Sequence, residues 1–355
     1  MPVAVSIVML SYNHKNYIEE AIRSILHQTF SDWELIIIDD ASTDGSQQII
    51  EKFLDNDSRI NAVFHNQNKG IPASTVEGIN AAKGKFIAFL DSDDVWLDEK
   101  LSIQIAVLEK DENFVVWSEG EIIDEHGEIC EKKFTDIYGH AEKEKSGYIL
   151  ESLLRHNYIF QSSFIIKTEN IRNIQISQEL KYLNDYKYVV DLACKYKYYF
   201  IEKPLAKYRI HGQSTYQRDI DDYRLDDIKL RIFFIKMFNN KVSDDLIYHQ
   251  ENVIISEVDA LLSEKDGRIA ALTEQLNQSE NRALWLENEI SDMRRSVVWT
   301  LTMKYHDTFV ERLLPPNTRK RNCYDRGIKG LRIIMNEGWG LFWCKFNEYR
   351  ASRKG

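Results

Sequence analysis

Two short apolar runs, each ending in carboxylates, constrain this chain more than any other feature. WELIIIDD (33–40) and FIAFLDSDD (86–94) are β-branched, aliphatic or aromatic almost throughout, then turn abruptly acidic. Runs of that length and composition read as strands buried on both faces. A third such run, VAVSIVML, opens the chain, and a weaker strand is expected around Asn61–His65. Helical spacing lies between them. YIEEAIRSILHQ sets Ile18, Ala21, Ile22, Ile25 and Leu26 on one face, SQQIIEKFLD follows the second run, and STVEGINAAKG is closed by Gly84. This alternation predicts an α/β fold, a parallel sheet with helices on both faces. Ligands of such sheets sit at the carboxyl ends of the strands, where both acid clusters fall.

Carboxylates gathered at one sheet edge repel one another and cost desolvation unless something positive joins them. A hard divalent cation holding a diphosphate fits, because carboxylate and phosphate oxygens suit Mg²⁺ or Mn²⁺. Asp44 and Asp94 are also read as caps of following helices, which leaves Asp39, Asp40, Asp91 and Asp93 without a local role. Other phosphate-binding designs are excluded. No GxGxxG follows the first strand and no GxxxxGK[ST] occurs. The chain has 46 basic and 56 acidic residues, so its net charge of −10 argues against a nucleic-acid binder with a basic surface. Cys130, Cys194, Cys323 and Cys344 are far apart and form no CxxC pair, which reads as free thiols in a reducing compartment. The N-terminus carries no evident secretory signal, and no run of 18 apolar residues occurs.

SYNHKNYIEEAIRSILHQTFSDWELIIIDDASTDGS, NKG, AAKGKFIAFLDSDD and YFIEKPLAKYRIHGQST, in that order over residues 4–216, resemble a family 2 glycosyltransferase of the GT-A type. The resemblance implies a Rossmann-like GT-A sheet. It also implies an inverting enzyme that moves a sugar from a nucleotide-diphosphate donor, UDP-linked, to an acceptor hydroxyl. By that resemblance Tyr12 and Asp40 meet the nucleobase, Lys69 and Gly70 belong to a loop over the nucleotide, and Asp91 lies near the ribose with Ser92 beside it. Asp93 ligates the metal (Mn²⁺ or Mg²⁺), and His211 completes its shell or donates to phosphate. An inverting transfer needs a base on the sugar face opposite the leaving group. Asp185 in LNDYKYVVDLACKY occupies the family's position for it, with Asn184 where the family has Glu, and Asp191 is the competing carboxylate. Arg209 is read as a partner of Asp185 or of a phosphate. Thr75 stands where the family often has Arg, a gap that Lys69 or Lys83 is expected to fill. Trp96 and Trp117 are read as core residues that also have the shape to stack on sugars.

The resemblance does not reach the rest of the chain. Ile255, Leu262, Ile269, Leu276, Ala283, Ile290 and Val297 recur every seven residues, a coiled-coil pattern that predicts a homo-oligomer, or else a long helix packed on its own domain. Residues 301–355 hold 12 basic and 5 acidic residues, +7 against −17 for the remainder, and include Trp339, Phe342 and Trp343. Basic residues with aromatic anchors suit anionic lipid; a small helical cap is the other reading. The expected division is 1–235 transferase domain, 245–298 coiled coil and 299–355 basic tail. The expected setting is cytoplasmic, peripheral on the inner membrane face, with a glycan or lipid-linked acceptor and no nucleic acid. Two other classes remain at this point. A nucleotidyltransferase also uses a carboxylate cluster on an α/β sheet, though the basic Gly-rich loop it needs is missing. A coiled-coil scaffold with an inactive transferase-like domain is compatible with Asn184 and Thr75.

Overall fold

Alternation along the strands decides which core each side chain joins. In the computed structural model, residues 3–138, 144–212, 220–238 and 242–277 are described. The first four strands are β1 (Val5–Ser11), β2 (Trp33–Asp39), β3 (Ile60–Phe64) and β4 (Phe86–Asp91), lying side by side and parallel in the order β3-β2-β1-β4. Val5, Ile7, Met9, Leu35, Ile37, Ala88 and Leu90 face one core, and Val8, Ile36, Ile38, Ile87 and Phe89 face the other. That two-residue period over two buried faces explains why the runs are apolar without a polar stripe. The first core is covered by α1 (Ile18–Leu26), α2 (Ser46–Leu54) and α4 (Lys100–Leu108), and the second by α3 (Ile71–Ala81). The expected third strand and the three helices are present, with α3 ending at Ala81, just before Gly84.

Beyond β4 the sheet is no longer purely parallel. After β5 (Val95–Trp96) come β6 (Val115–Ile123) and β7 (Ile129–Lys133), then α5 (Phe134–Tyr138), α6 (Leu150–Arg155) and a 3-10 turn, Gln161–Ser163. The chain continues through β8 (Ile165–Lys167), α7 (Thr168–Arg172), α8 (Asn184–Ala193) and β9 (Tyr198–Arg209). The nine-stranded order is β3-β2-β1-β4-β8-β6-β9-β5, with β7 on β6; β8 is antiparallel to β4 and β6, and β9 is parallel to β6. The all-parallel expectation therefore holds for the first four strands only. The aromatic-rich middle of the chain extends the same sheet sideways, giving a mixed α/β fold. Its strands carry large side chains, such as Trp117, Phe164 and Tyr198, into the second core. Trp96 and Trp117 are both buried, their indole N–H groups donating to the carbonyls of Ser162 and Lys145 at 2.8 and 2.9 Å. They are core residues and present no face to a sugar.

Two helices follow, α9 (Ile220–Phe238) and α10 (Asp244–Asn277). The chain divides into units Met1–Ile254 and Ile255–Gly355. Within the first unit, Gln250 of α10 accepts from Arg231 of α9 at 3.0 Å and donates to the Leu154 carbonyl of α6. The heptad residues from Ala283 onward and the basic tail lie outside the described residues. No helix among the described residues is long and apolar enough to cross a membrane.

Register makes the acid edge. Ser11 pairs with Asp39 and Leu10 with Asp91, so β1, β2 and β4 finish level. At the opposite edge the chain crosses closely between α3 and β4. Ser6 Oγ accepts from the Lys83 and Gly84 N–H groups at 3.0 and 2.7 Å and donates to Glu34 at 2.7 Å. A methyl group on Gly84 would lie 2.5 Å from Ser6 N and 2.8 Å from Val5 C, backbone atoms locked in the sheet. Gly84→Ala is expected to destabilise the fold by about 1–3 kcal/mol, read as a lower urea midpoint at unchanged m-value.

Candidate active site at the carboxylate edge of the sheet

The two aspartates that end β2 do different work. Asp39 is fully buried and consumed by structure: it accepts from Ser11 Oγ, from Ser42 N and Oγ, and from Gln47 Nε2, all within 2.9 Å. Asp40 faces the loop before α3. Its Oδ1 accepts from His65 Nδ1 at 2.7 Å and Lys69 N at 2.8 Å, and its Oδ2 from Gly70 N at 2.8 Å. A carboxylate has about four acceptor sites, so one remains for a ligand N–H. Gly70 holds φ +86°, a left-handed geometry that aims its N–H at Asp40 and opens α3. Tyr12 stands 37% exposed immediately after β1. The structure thus gathers Tyr12, Asp40, Lys69 and Gly70 at one end of the edge. Lys69 contributes its backbone there, while its ammonium reaches Glu77 at 3.3 Å.

One reading of this region is corrected, that of Lys83. Thr75 is buried, with Oγ1 donating to the Ile71 carbonyl within α3, so it is built into the helix. Lys83 lies at the opposite edge beside Ser6, its exposed ammonium 3.9 Å from Glu34, and cannot replace an arginine at Thr75. Asp44 does serve the start of α2, accepting from Ser46 N and Oγ at 2.9 and 2.6 Å.

The second acid cluster is braced from below by the 3-10 turn. The Asp91 N–H donates to Ser162 Oγ at 3.0 Å, the Ser162 hydroxyl donates to Asp94 at 2.6 Å, and Gln161 Nε2 donates to Asp91 Oδ1 at 3.2 Å. Asp94 is therefore no helix cap. Its other oxygen accepts from the Arg209 N–H at 2.9 Å, because β9 pairs with β5, the short strand that directly follows Asp94. Burial, and then the charges of Asp93 and Asp91, push Asp94 well above the usual carboxylate range. Burial together with Asp93 and Asp185 pushes Asp91 up to about 8. Asp93 goes the other way: burial opposes its ionisation, but His14 and His211 beside it hold it below its ordinary value.

Arg209 reaches neither Asp185 nor an open phosphate site. Its buried guanidinium donates to the Asp93 carbonyl (2.7 Å), the Asp124 carbonyl (3.1 Å) and Glu20 (2.6 Å), and sits 4.9 Å from the centre of the Tyr17 ring. It ties β9, the β6–β7 turn and α1 to the aspartate loop.

Above Asp93 three side chains converge. His14, Asp93 and His211 each offer one ligand atom, and these lie within 4.8 Å of one another. His211 Nε2 is 3.0 Å from Asp93 Oδ2, and His14 Nε2 is 3.9 Å away. Two imidazoles and a carboxylate are a donor set that suits a divalent cation. Asp93 and His211 match expectation. His14 was not anticipated, although it lies in SYNHK directly after β1, the strand that pairs with β4. Ser92, expected beside the ribose, is fully buried and meets His14 Nδ1 at 2.8 Å. Gln161 and Ser162 were also missed; a three-residue 3-10 turn carries no periodic signal.

Asp185 lies in the first turn of α8, and burial raises it to about 6 against the backbone N–H groups of Tyr186 and Asp185 itself. Its charge is felt by Asp91 and by Tyr188, whose hydroxyl donates to Gln161 at 2.6 Å. Asp191 is held by Lys187 at 2.6 Å, one turn back on the helix. Asn184 is buried, and both polar atoms of its side chain lack a hydrogen-bond partner.

The family model described as glycosyl transferase family 2 matches residues 6–247. An uncharacterized glycosyltransferase of Methanocaldococcus jannaschii is 31% identical over 62% of this chain and 76% of its own length. The UDP-Glc:alpha-D-GlcNAc-diphosphoundecaprenol beta-1,3-glucosyltransferase of Escherichia coli is 40% identical over 34% of this chain, less than half (46%) of that enzyme. The mannosyltransferase PcManGT of Pyrobaculum calidifontis, solved with GDP-Man and Mn²⁺, superposes with TM-score 0.51 at 16% identity, covering 81% of this chain and 84% of its own, a likeness of fold.

Arg209 carries the clearest consequence of this arrangement. Arg209→Met keeps an apolar stem but leaves the Asp93 carbonyl without its donor and Glu20 without its ion-pair partner. It is expected to cost about 2–3 kcal/mol, measured by chemical denaturation.

Proposed function

The chain belongs to glycosyl transferase family 2, and from that premise we propose that it is a metal-dependent, inverting glycosyltransferase using a UDP-linked sugar donor. Its acceptor is a hydroxyl of a glycan or lipid-linked saccharide in surface polysaccharide or glycolipid synthesis, met at the cytoplasmic membrane face. The observation that carries the reading is the pairing of a cation-suited cluster, His14, Asp93 and His211, with a buried carboxylate, Asp185, raised to about 6 and acting on Asp91 of the same acidic strand end. The Escherichia coli relative, a UDP-Glc-dependent glucosyltransferase acting on a diphosphoundecaprenol-linked sugar, supports a UDP donor and a lipid-linked acceptor, and the PcManGT complex supports a nucleotide-sugar with Mn²⁺.

Each residue then has a task. Tyr12 packs against the nucleobase, and the open acceptor site on Asp40 takes a base N–H. Lys69 and Gly70 hold the loop over the nucleotide through their bonds to Asp40. Asp91, steadied by Gln161, lies toward the ribose, and Ser92 orients His14. His14, Asp93 and His211 would hold a divalent cation, which when bound offsets the negative charge that grows on the departing diphosphate. Asp185 removes the proton from the acceptor hydroxyl as that oxygen attacks the anomeric carbon from the face opposite the leaving group. The new glycosidic bond forms as the bond to the diphosphate oxygen breaks, and the proton passes from Asp185 to solvent. Asp191 is the weaker candidate, because Lys187 already neutralises it. The heptad region is proposed to join copies of the chain, and the basic tail to meet anionic lipid.

UDP release from a panel of UDP-sugars tests this reading. Asp185→Asn is expected to lower turnover about 10²–10⁴-fold while donor-induced thermal stabilisation persists, and Asp93→Ala to abolish metal-dependent turnover. A base works only when ionised, and burial raises Asp185, so the wild-type rate should climb with pH through about 6 and level off above it. Unchanged turnover in Asp185→Asn would assign the proton to another group. Absence of turnover with every donor would leave the scaffold reading, with which Asn184 in the family's Glu position and Thr75 in its Arg position are compatible.

The tail is tested on vesicles. The full chain is expected to sediment with anionic but not zwitterionic vesicles and to be released by salt; sedimentation insensitive to lipid charge would refute the electrostatic part.

A further inference from the structure

We infer that His14 is a third protein ligand of the cation, so that the chain by itself supplies two imidazole nitrogens and one carboxylate and takes up a divalent ion before any nucleotide arrives. The inference rests on the metal dependence proposed above and goes beyond Asp93 and His211. It begins with Ser92, which is fully buried and held 2.8 Å from His14 Nδ1. A ring nitrogen engaged in this way fixes the rotation of the imidazole, the usual device for orienting a metal-binding histidine. The other nitrogen, Nε2, is then directed toward Asp93 Oδ2, 3.9 Å off, where His211 Nε2 already stands at 3.0 Å.

The rings are packed in place around this point. His14 and His211 meet edge to face at 5.8 Å, and Tyr17 lies 4.7 Å from His211 and 6.3 Å from His14. Arg209, whose charge might otherwise answer Asp93, is spent on backbone carbonyls and Glu20. Three donors from three distant segments thus point at one spot, with their rotations set by neighbours rather than by the ion.

Donor chemistry predicts the preference. Mg²⁺ favours oxygen ligands and gives up its waters reluctantly. Imidazole nitrogen binds more strongly along the series from Mn²⁺ to Co²⁺ and beyond. A site with two imidazoles therefore favours Co²⁺ over Mn²⁺ and both over Mg²⁺. A site built on one aspartate and the diphosphate would need the nucleotide to bind any of them.

Co²⁺ is the probe, because its visible absorption reports its ligands without any turnover. The full-length, untagged protein is titrated with CoCl₂ in the absence of nucleotide. A saturable band at one equivalent is expected, resisting a large excess of Mg²⁺. In His14→Ala affinity should fall at least tenfold with a changed spectrum, and in Ser92→Ala about 10–100-fold. His14→Gln, which keeps the side-chain volume, should bind as weakly as His14→Ala. Metal-free melting temperatures equal to wild type ensure that the variants are folded. Unchanged Co²⁺ affinity and spectrum in both His14 variants would overturn the assignment, as would wild-type protein that binds Co²⁺ only after UDP is added. Co²⁺ entering the UDP complexes of wild type and His14→Ala alike would remove His14 and leave the proposed function standing. No uptake with or without UDP would sink both.

Discussion

The mutual repulsion of carboxylates at the end of a parallel sheet is the constraint around which the rest of this structure is organised. Register brings Asp39, Asp40, Asp91, Asp93 and Asp94 to one edge. Each must find compensation there, since a buried anion without it costs several kcal/mol. Asp39 and Asp40 are answered by short-range neutral donors, hydroxyls and backbone N–H groups, plus His65. The second cluster lacks enough of these. Asp91 and Asp94 are pushed up by burial and by the charge of Asp93, while Asp93 stays low beside two histidines. The under-compensated carboxylates, Asp91 and Asp94, flank the one on which two imidazoles converge. An added cation relieves the repulsion that folding created.

Much of the remaining architecture serves to hold that edge in place. Arg209 spans three segments and its guanidinium fixes the aspartate loop through the Asp93 carbonyl, leaving the Asp93 carboxylate to the two histidines. The 3-10 turn Gln161–Ser163 does the same from the other side, and is itself anchored through Ser163 O to Gln104 at 2.7 Å and through Ser162 O to Trp96. Gln104 in turn accepts from Lys100, a fully buried lysine set 4.1 Å from the centre of the Trp96 ring. Burial drives that ammonium well below its ordinary pKa. Packing, hydrogen bonding and site geometry form one connected set, so a change in α4 is transmitted to Asp91 through two side chains. The lateral strands β6, β8 and β9 matter because they deliver this scaffolding, together with His211, to an edge that β1, β2 and β4 define.

The Asp185 helix illustrates how far local reading extends. That a carboxylate should stand near the start of an amphipathic helix was visible in LNDYKYVVDLACKY. That Asp191 is neutralised by Lys187 was implicit in their spacing of four, which places them on one helical face. What could not be read is that Asp185, and not Asp191, shares an electrostatic environment with Asp91, because α8 and β4 are brought together by packing alone. Arg209 misled for a similar reason: a lone arginine beside a histidine looks available for phosphate, and only the crossing of β9 over the Asp93 loop shows it spent.

The sequence by itself determined the first four strands, their burial on two faces, the acidic strand ends, and the family resemblance carried by SYN, IIIDD, LDSDD and RIHGQ. These are properties of contiguous residues, set by period, propensity and chain direction. Tertiary structure alone decided which aspartates are consumed and which are open. It also decided that the sheet turns mixed after β4, and that His14 joins Asp93 and His211, the latter pair 118 residues apart. Hydrogen-bond partners are allotted by register between strands and by the crossovers that connect them. Two aspartates adjacent in sequence can therefore differ completely, one closed by serines and the next left with a free acceptor site.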